Sequence, residues 1–229
     1  PEAVSPEAAT LTEPLAVGLQ AVLDNRPGDS DRILVIGGGV IGTMIVKAIR
    51  GLDIACDITV MEPAPFAAAY VKSSGADRTF SAGILDAACA AAGGRSYKPA
   101  LGDPVVMGGF HRIYDTVGHA RTLNRSLRAL AAKGTLSVLG IGPAVKLDLT
   151  PLWLKLQTIR GCYGYRFNET SRGRRQAFEI ALEMIAEKKV RVDDMITYTF
   201  PIERYREMID LNLCKNAGRA MKTAVRFTF

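Results

Sequence analysis

RILVIGGGVIG, residues 32–42, sets a short β-branched run directly against glycines at 37, 38, 39 and 42. Residues 32–36 read as a buried strand, and the apolar spacing that follows predicts a helix to about residue 50. Each spaced glycine has a physical task in such a strand-turn-helix joint. Gly37 permits a tight turn, Gly39 leaves room for an anion to approach the backbone, and Gly42 lets the helix lie close on the strand. The amides of Val40 and Ile41 then open the helix, where the dipole favours negative charge. A second strand, 57–61 (DITVM), ends at Glu62, twenty residues beyond Gly42.

The same alternation continues outward. Helices are predicted at 14–23, 65–74, 84–92 and 120–132, strands at 77–80, 111–115, 135–139 and 158–163, and a long loop at 93–109 with a local strand at 105–107. Strands and helices alternating this closely predict an α/β fold, a Rossmann doubly wound parallel sheet of about six strands covered on both faces. Beyond residue 163 the rhythm changes: a helix at 174–188, a strand at 196–200, a helix at 203–213 and a terminal strand at 223–229. The predicted division is 1–13 as a remnant of one domain, 14–163 as the dinucleotide-binding domain, and 164–229 as a segment of that other, incomplete domain.

Composition narrows the function. The chain has 229 residues, 48% of them hydrophobic, and a net charge of +6. Its cations are spread out, apart from Arg172, Arg174 and Arg175 in one loop and Lys188, Lys189 and Arg191 near a helix end, where the dipole favours them; nucleic acid is not an indicated partner. No apolar run reaches the roughly 20 residues that span a bilayer, so no membrane association is expected and a cytoplasmic protein is the default reading. Cys56, Cys89, Cys162 and Cys214 are widely spaced and read as buried thiols, without a CxxC clip.

Strand, glycine turn, helix and Glu62 together indicate a dinucleotide. A carboxylate at that strand end accepts both hydroxyls of an adenosine ribose and repels a 2′-phosphate. PAPF (63–66) brings no cation to offset it. The predicted cofactor is therefore NAD. Short-chain dehydrogenases are excluded, because no Tyr is followed four residues later by the Lys that tunes it. A flavin- or quinone-oxidoreductase module stays open as an alternative, as does a non-catalytic nucleotide-binding protein.

Read in order, EPLAVGLQAVL (13–23), RILVIGGGVIG, SSGADRTF (73–80), IYDTVG (113–118), GTLSVLGIG (134–142), TIRGCYGY (158–165) and ITYTFPIERYREMIDL (196–211) resemble zinc-type medium-chain dehydrogenases, with EPLAV nearest the sorbitol and threonine enzymes. The chain departs from that pattern in its 93–109 loop, in the loop at 167–175, and at Ala68, where an Arg often follows the ribose-binding acid. The resemblance implies oxidation of a small alcohol or polyol by NAD, with zinc polarising the alcohol. It places Thr116 and Val117 along the cofactor, has Gly140 and Ile141 offer backbone groups to the nicotinamide carboxamide, and sets Glu13 beside the metal. Asp115 is expected to cap the following helix, and His111 and His119 to be structural or exposed. No Cys–His pair accompanies Glu13, so the chain is expected to be a piece of a longer zinc enzyme, without catalytic residues or bound zinc of its own. Segments 1–12 and 165–229 are then expected to expose apolar surface. A homodimer through the 158–163 strand is also implied.

Overall fold

The computed structural model describes residues 3–100 and 102–227. Two helices, α1 (Pro6–Thr10) and α2 (Thr12–Asp24), precede the glycine run. The Ser5 hydroxyl caps α1 by accepting from Ala8 N–H, and Pro6 sits in the first turn, where its missing donor is no loss. The alternating part follows as β1 (Arg32–Ile36), α3 (Val40–Gly51), β2 (Asp57–Met61), α4 (Pro65–Ser73), β3 (Arg78–Phe80) and α5 (Ile84–Ala91). A short antiparallel pair, β4 (Arg95–Tyr97) and β5 (Val105–Met107), occupies most of what reads as a loop. Then come β6 (Phe110–Asp115), α6 (Ala120–Ala129), β7 (Leu130–Val138), α7 (Thr150–Leu154) and β8 (Thr158–Gly161).

Six of these strands form one parallel sheet in the order β3-β2-β1-β6-β7-β8. Chain order reverses between β1 and β6, so a crevice opens beyond their C-terminal ends. Alternate side chains of β1 supply both cores. Ile33 and Val35 pack with Leu15, Leu19, Met44 and Ile45 on one face, while Leu34 and Ile36 pack with Ala88, Leu123 and Leu127 on the other. Each such fully buried aliphatic side chain contributes about 1.5–3 kcal/mol.

The last third contains a hairpin of β9 (Phe167–Thr170) and β10 (Gly173–Gln176), then α8 (Ala177–Ala186), β11 (Ile196–Pro201), α9 (Tyr205–Leu213), α10 (Lys215–Gly218) and β12 (Lys222–Arg226), with β11 and β12 paired in parallel. Ala181, Met184 and Ile185 of α8 share the core of α2 and α3.

Several expectations change. The 174–188 helix begins only at Ala177, because Gln176 and Glu179 form a capping box and Arg174 and Arg175 are paired with Glu169 and Asn168 in the hairpin. The 120–132 helix stops at Ala129, where Leu130 turns extended and pairs with Phe110. The sixth sheet strand ends at Gly161 rather than 163, and the terminal strand is seen at Lys222–Arg226, residues 228–229 lying outside the described ones. Cys214 is exposed, not buried. Nor does the N-terminal segment offer an apolar surface at Ala8 and Leu11, which are buried against α2 and its neighbours. The α9 helix does expose Tyr205, Ile209 and Leu213.

Candidate cofactor site

The glycine turn is built as its spacing predicts. Gly37 has φ of +94°, and a Cβ on it would lie 2.5 Å from Thr116 Oγ1. One on Gly42 would lie 1.8 Å from the Gly37 carbonyl oxygen, so α3 starts in contact with the turn. Gly39 is different: no atom lies within 4 Å of its Cβ position, and it faces solvent. The first ladder bond of α3 runs from Thr43 N–H to Gly39 O, 2.9 Å. The amides of Val40 and Ile41 precede it and carry the positive end of the helix dipole toward that open space.

Glu62 is fixed rather than solvated. Its Oε2 accepts from Gly38 N–H at 2.7 Å and its Oε1 from Ala64 N–H at 2.8 Å. Two amides thus hold the carboxylate in one orientation, and each oxygen keeps a lone pair for another donor. Gly38 is close-packed below it, its Cβ position being 3.0 Å from Glu62 Cβ.

Two cavities flank the turn. One, of about 600 Å³, is bordered by Gly37, Glu62, Ile84, Val117, Arg121 and Arg125. The other, of about 650 Å³, is bordered by Glu13, Ile41, Thr116, Leu139 and Cys162. Glu62 and Val117 therefore stand at one end of the crevice, Glu13 and Thr116 at the other. The Thr116 hydroxyl donates to Ile36 O at 2.7 Å, which leaves only its lone pairs for a ligand. Val117 is half-buried, Gly140 packs against the Val117–Gly118 backbone, and Ile141 is 94% exposed just past β7.

Asp115 does not cap α6, whose N-cap is His119. Its Oδ1 instead accepts from the amides of Val117 and Gly118 at 2.8 and 3.0 Å, and its backbone carbonyl accepts from Leu139 and Gly140 at 2.9 and 3.0 Å. This buried acid thereby locks together the two loops that carry Thr116, Val117 and Gly140. Its role depends on where α6 begins, which the local sequence leaves ambiguous. Arg121, Thr122 and Arg125 also escaped the sequence reading, because only the packing of α6 against α5 and β6 brings them to the crevice. Two arginines four residues apart at a helix start without an acid were the available signal.

Neither histidine borders the two cavities. His111 Nδ1 accepts from Arg32 N–H at 3.0 Å, at the end of the sheet opposite the crevice, and burial with the Arg32 charge pushes its pKa below the usual imidazole value. His119 is exposed. Burial raises both the Cys56 thiol, to about 11, and the Cys162 thiol, so neither is a thiolate near neutrality. Glu13 is exposed in the first turn of α2 and borders the second cavity. Among the described residues no three His, Cys, Asp or Glu side chains converge as a metal would need.

The profile of the zinc-binding dehydrogenase family matches residues 40–187. A sorbitol dehydrogenase of Rattus norvegicus is 24% identical over 212 residues, 92% of this chain and 54% of that protein. An L-idonate 5-dehydrogenase of Vitis vinifera is 27% identical over 225 residues, 97% of this chain and 57% of that protein. The fold is shared with the crystal structure of 2R,3R-butanediol dehydrogenase from Bacillus subtilis, at a TM-score of 0.78 and 20% identity, over 99% of this chain and 59% of the other. The chain thus spans little more than half the length of the relatives it matches. With the glycine turn, the six-stranded sheet and the family profile in agreement, the chain belongs to the zinc-binding dehydrogenase family.

Proposed function

We propose that this chain is the NAD(H)-binding part of a zinc-dependent alcohol or polyol dehydrogenase, which moves hydride between a secondary alcohol and NAD. The observation that carries the reading is the Glu62 carboxylate, held by two amides at the mouth of a glycine turn with a cavity on either side. On this reading the pyrophosphate lies over Gly39 against the Val40 and Ile41 amides, and the adenosine ribose donates its hydroxyls to Glu62. The nicotinamide half enters the second cavity past Thr116, where the backbone of Gly140 and Ile141 meets its carboxamide. The cofactor supplies the hydride chemistry; these residues bind it, orient it and shield it from water.

The proposed division assigns 14–163 to the cofactor domain, and 1–13 with 164–229 to a second domain. Glu13 then lies near the reacting carbon, and the remaining zinc ligands come from outside residues 1–229. No helix among the described residues is long and apolar enough to cross a membrane. We place the enzyme in the cytoplasm as a homodimer, supported by an outer strand, β8, whose four residues are all exposed.

Calorimetric titration with both nicotinamide cofactors tests the reading. NAD(H) should bind at least several-fold more tightly than NADP(H), and Glu62→Ala should erase the difference. Tighter binding of NADP(H), or an unchanged preference in the variant, would overturn it.

A further inference from the structure

We propose that Arg121 and Arg125 form the outer wall of the adenosine subsite and hold the adenine ring by laying their guanidinium planes on its face. The inference rests on the dinucleotide reading above and extends it to residues on a different element. Both arginines border the same cavity as Glu62. Its floor is apolar, with Ile36, Met61, Ile84 and Val117 around it, which suits a flat heteroaromatic ring more than a solvated ion.

The arginines are costly to α6 itself. The first turn of α6 contains no acidic residue, and Arg121 stands there against the positive end of the helix dipole. Arg125 follows four residues later on the same face, a repulsive spacing for like charges. Arg121 has no hydrogen-bond or ion-pair partner among the described residues. Arg125 has a loose one, Asp103 at 3.6 Å, with Arg125 half-buried and Asp103 exposed. Among the described residues that loose pair alone offsets the arrangement, whereas an electron-rich ring between the guanidinium groups and the apolar floor would offset it at both arginines.

A 2′-phosphate is the competing occupant for two arginines. It would have to sit where Glu62 is pinned by Gly38 and Ala64, against a fixed negative charge. Stacking on adenine needs no such approach. A planar guanidinium is suited to it and a compact ammonium is not.

The test titrates AMP, NADH, NADPH and nicotinamide mononucleotide against the chain and against Arg121→Ala/Arg125→Ala and Arg121→Lys/Arg125→Lys. The alanine pair should weaken AMP and NADH by about three- to thirtyfold, the span of cation–π energies, and leave the mononucleotide unchanged. The lysine pair should restore little. Because the arginines oppose the helix dipole and each other, the Tm of the alanine pair should be unchanged or higher while affinity falls. Unchanged AMP affinity, full rescue by lysine, a loss confined to NADPH, or a drop in Tm parallel to the loss of binding would each overturn the assignment. Failure of the unmodified chain to bind either AMP or NADH would instead overturn the dinucleotide reading beneath it.

Discussion

Gly39 and Gly42 lie in one motif, yet their surroundings predict opposite failures. At Gly39, φ is −71° and the Cβ position is empty to 4 Å, so valine fits the folded chain but fills the space over the α3 amides. Gly39→Val should retain a native circular dichroism spectrum and lose dinucleotide binding by titration. At Gly42 a side chain would strike the Gly37 carbonyl at 1.8 Å, so Gly42→Val should lose about 3 kcal/mol or more in a denaturant melt. Retained affinity in the first variant would mean that the turn holds no phosphate. These roles are legible in sequence because the motif is contiguous and its strand and helix are local. Asp115 is not legible in that way, since its carbonyl meets Leu139 and Gly140 after another strand, and Arg121 reaches the crevice only through the packing of its helix.

Among the elements, the central strands β1 and β2 were readable because burial on both faces makes them near-continuous apolar runs. The two hairpins were not. β4 is Arg-Ser-Tyr and exposed, and β10 is Gly-Arg-Arg-Gln, whose charges blend into the helical pattern that follows. The β4–β5 extension is fastened from below by Lys155, only 3% exposed, whose Nζ donates to Val106 O and Arg128 O at 3.0 Å each and to Leu130 O. Burial, with the Arg128 charge second, pulls this ammonium from 10.5 to about 8. Between those values the folded chain releases a proton that the unfolded chain keeps, so the Lys155 contribution to stability rises with pH from about 8 to 10.5. Unfolding free energies measured across that window should therefore show the parent gaining on Lys155→Met; parallel curves would contradict the burial argument. At the sheet edge, no strand among the described residues pairs with the outer side of β8, and Ile159 is exposed, a kind of edge that natural proteins cover. Light scattering should give twice the 24.6 kDa chain mass, and a monomer persisting at high concentration would argue against pairing there.

At the scale of the whole molecule, the proposed cofactor site and the proposed metal site differ in how many of their residues lie together. The turn, Glu62 and both cavities lie within the 229 residues, whereas Glu13 faces its cavity without two further ligands among the described residues. Polarising an alcohol requires an open tetrahedral metal held by about three protein groups. A single exposed carboxylate cannot hold zinc against water and buffer. Trp153, Tyr163 and Leu213 add exposed apolar surface of the kind that an interacting partner covers. The chain by itself should therefore bind NADH yet produce none. Incubated with NAD, zinc and a panel of polyols and secondary alcohols, it should show no absorbance change from NADH formation, and metal analysis after dialysis should find well under one zinc per chain. Stoichiometric zinc together with turnover would show that the missing ligands lie within these residues after all, and that Glu13 has partners which this geometry does not bring to it.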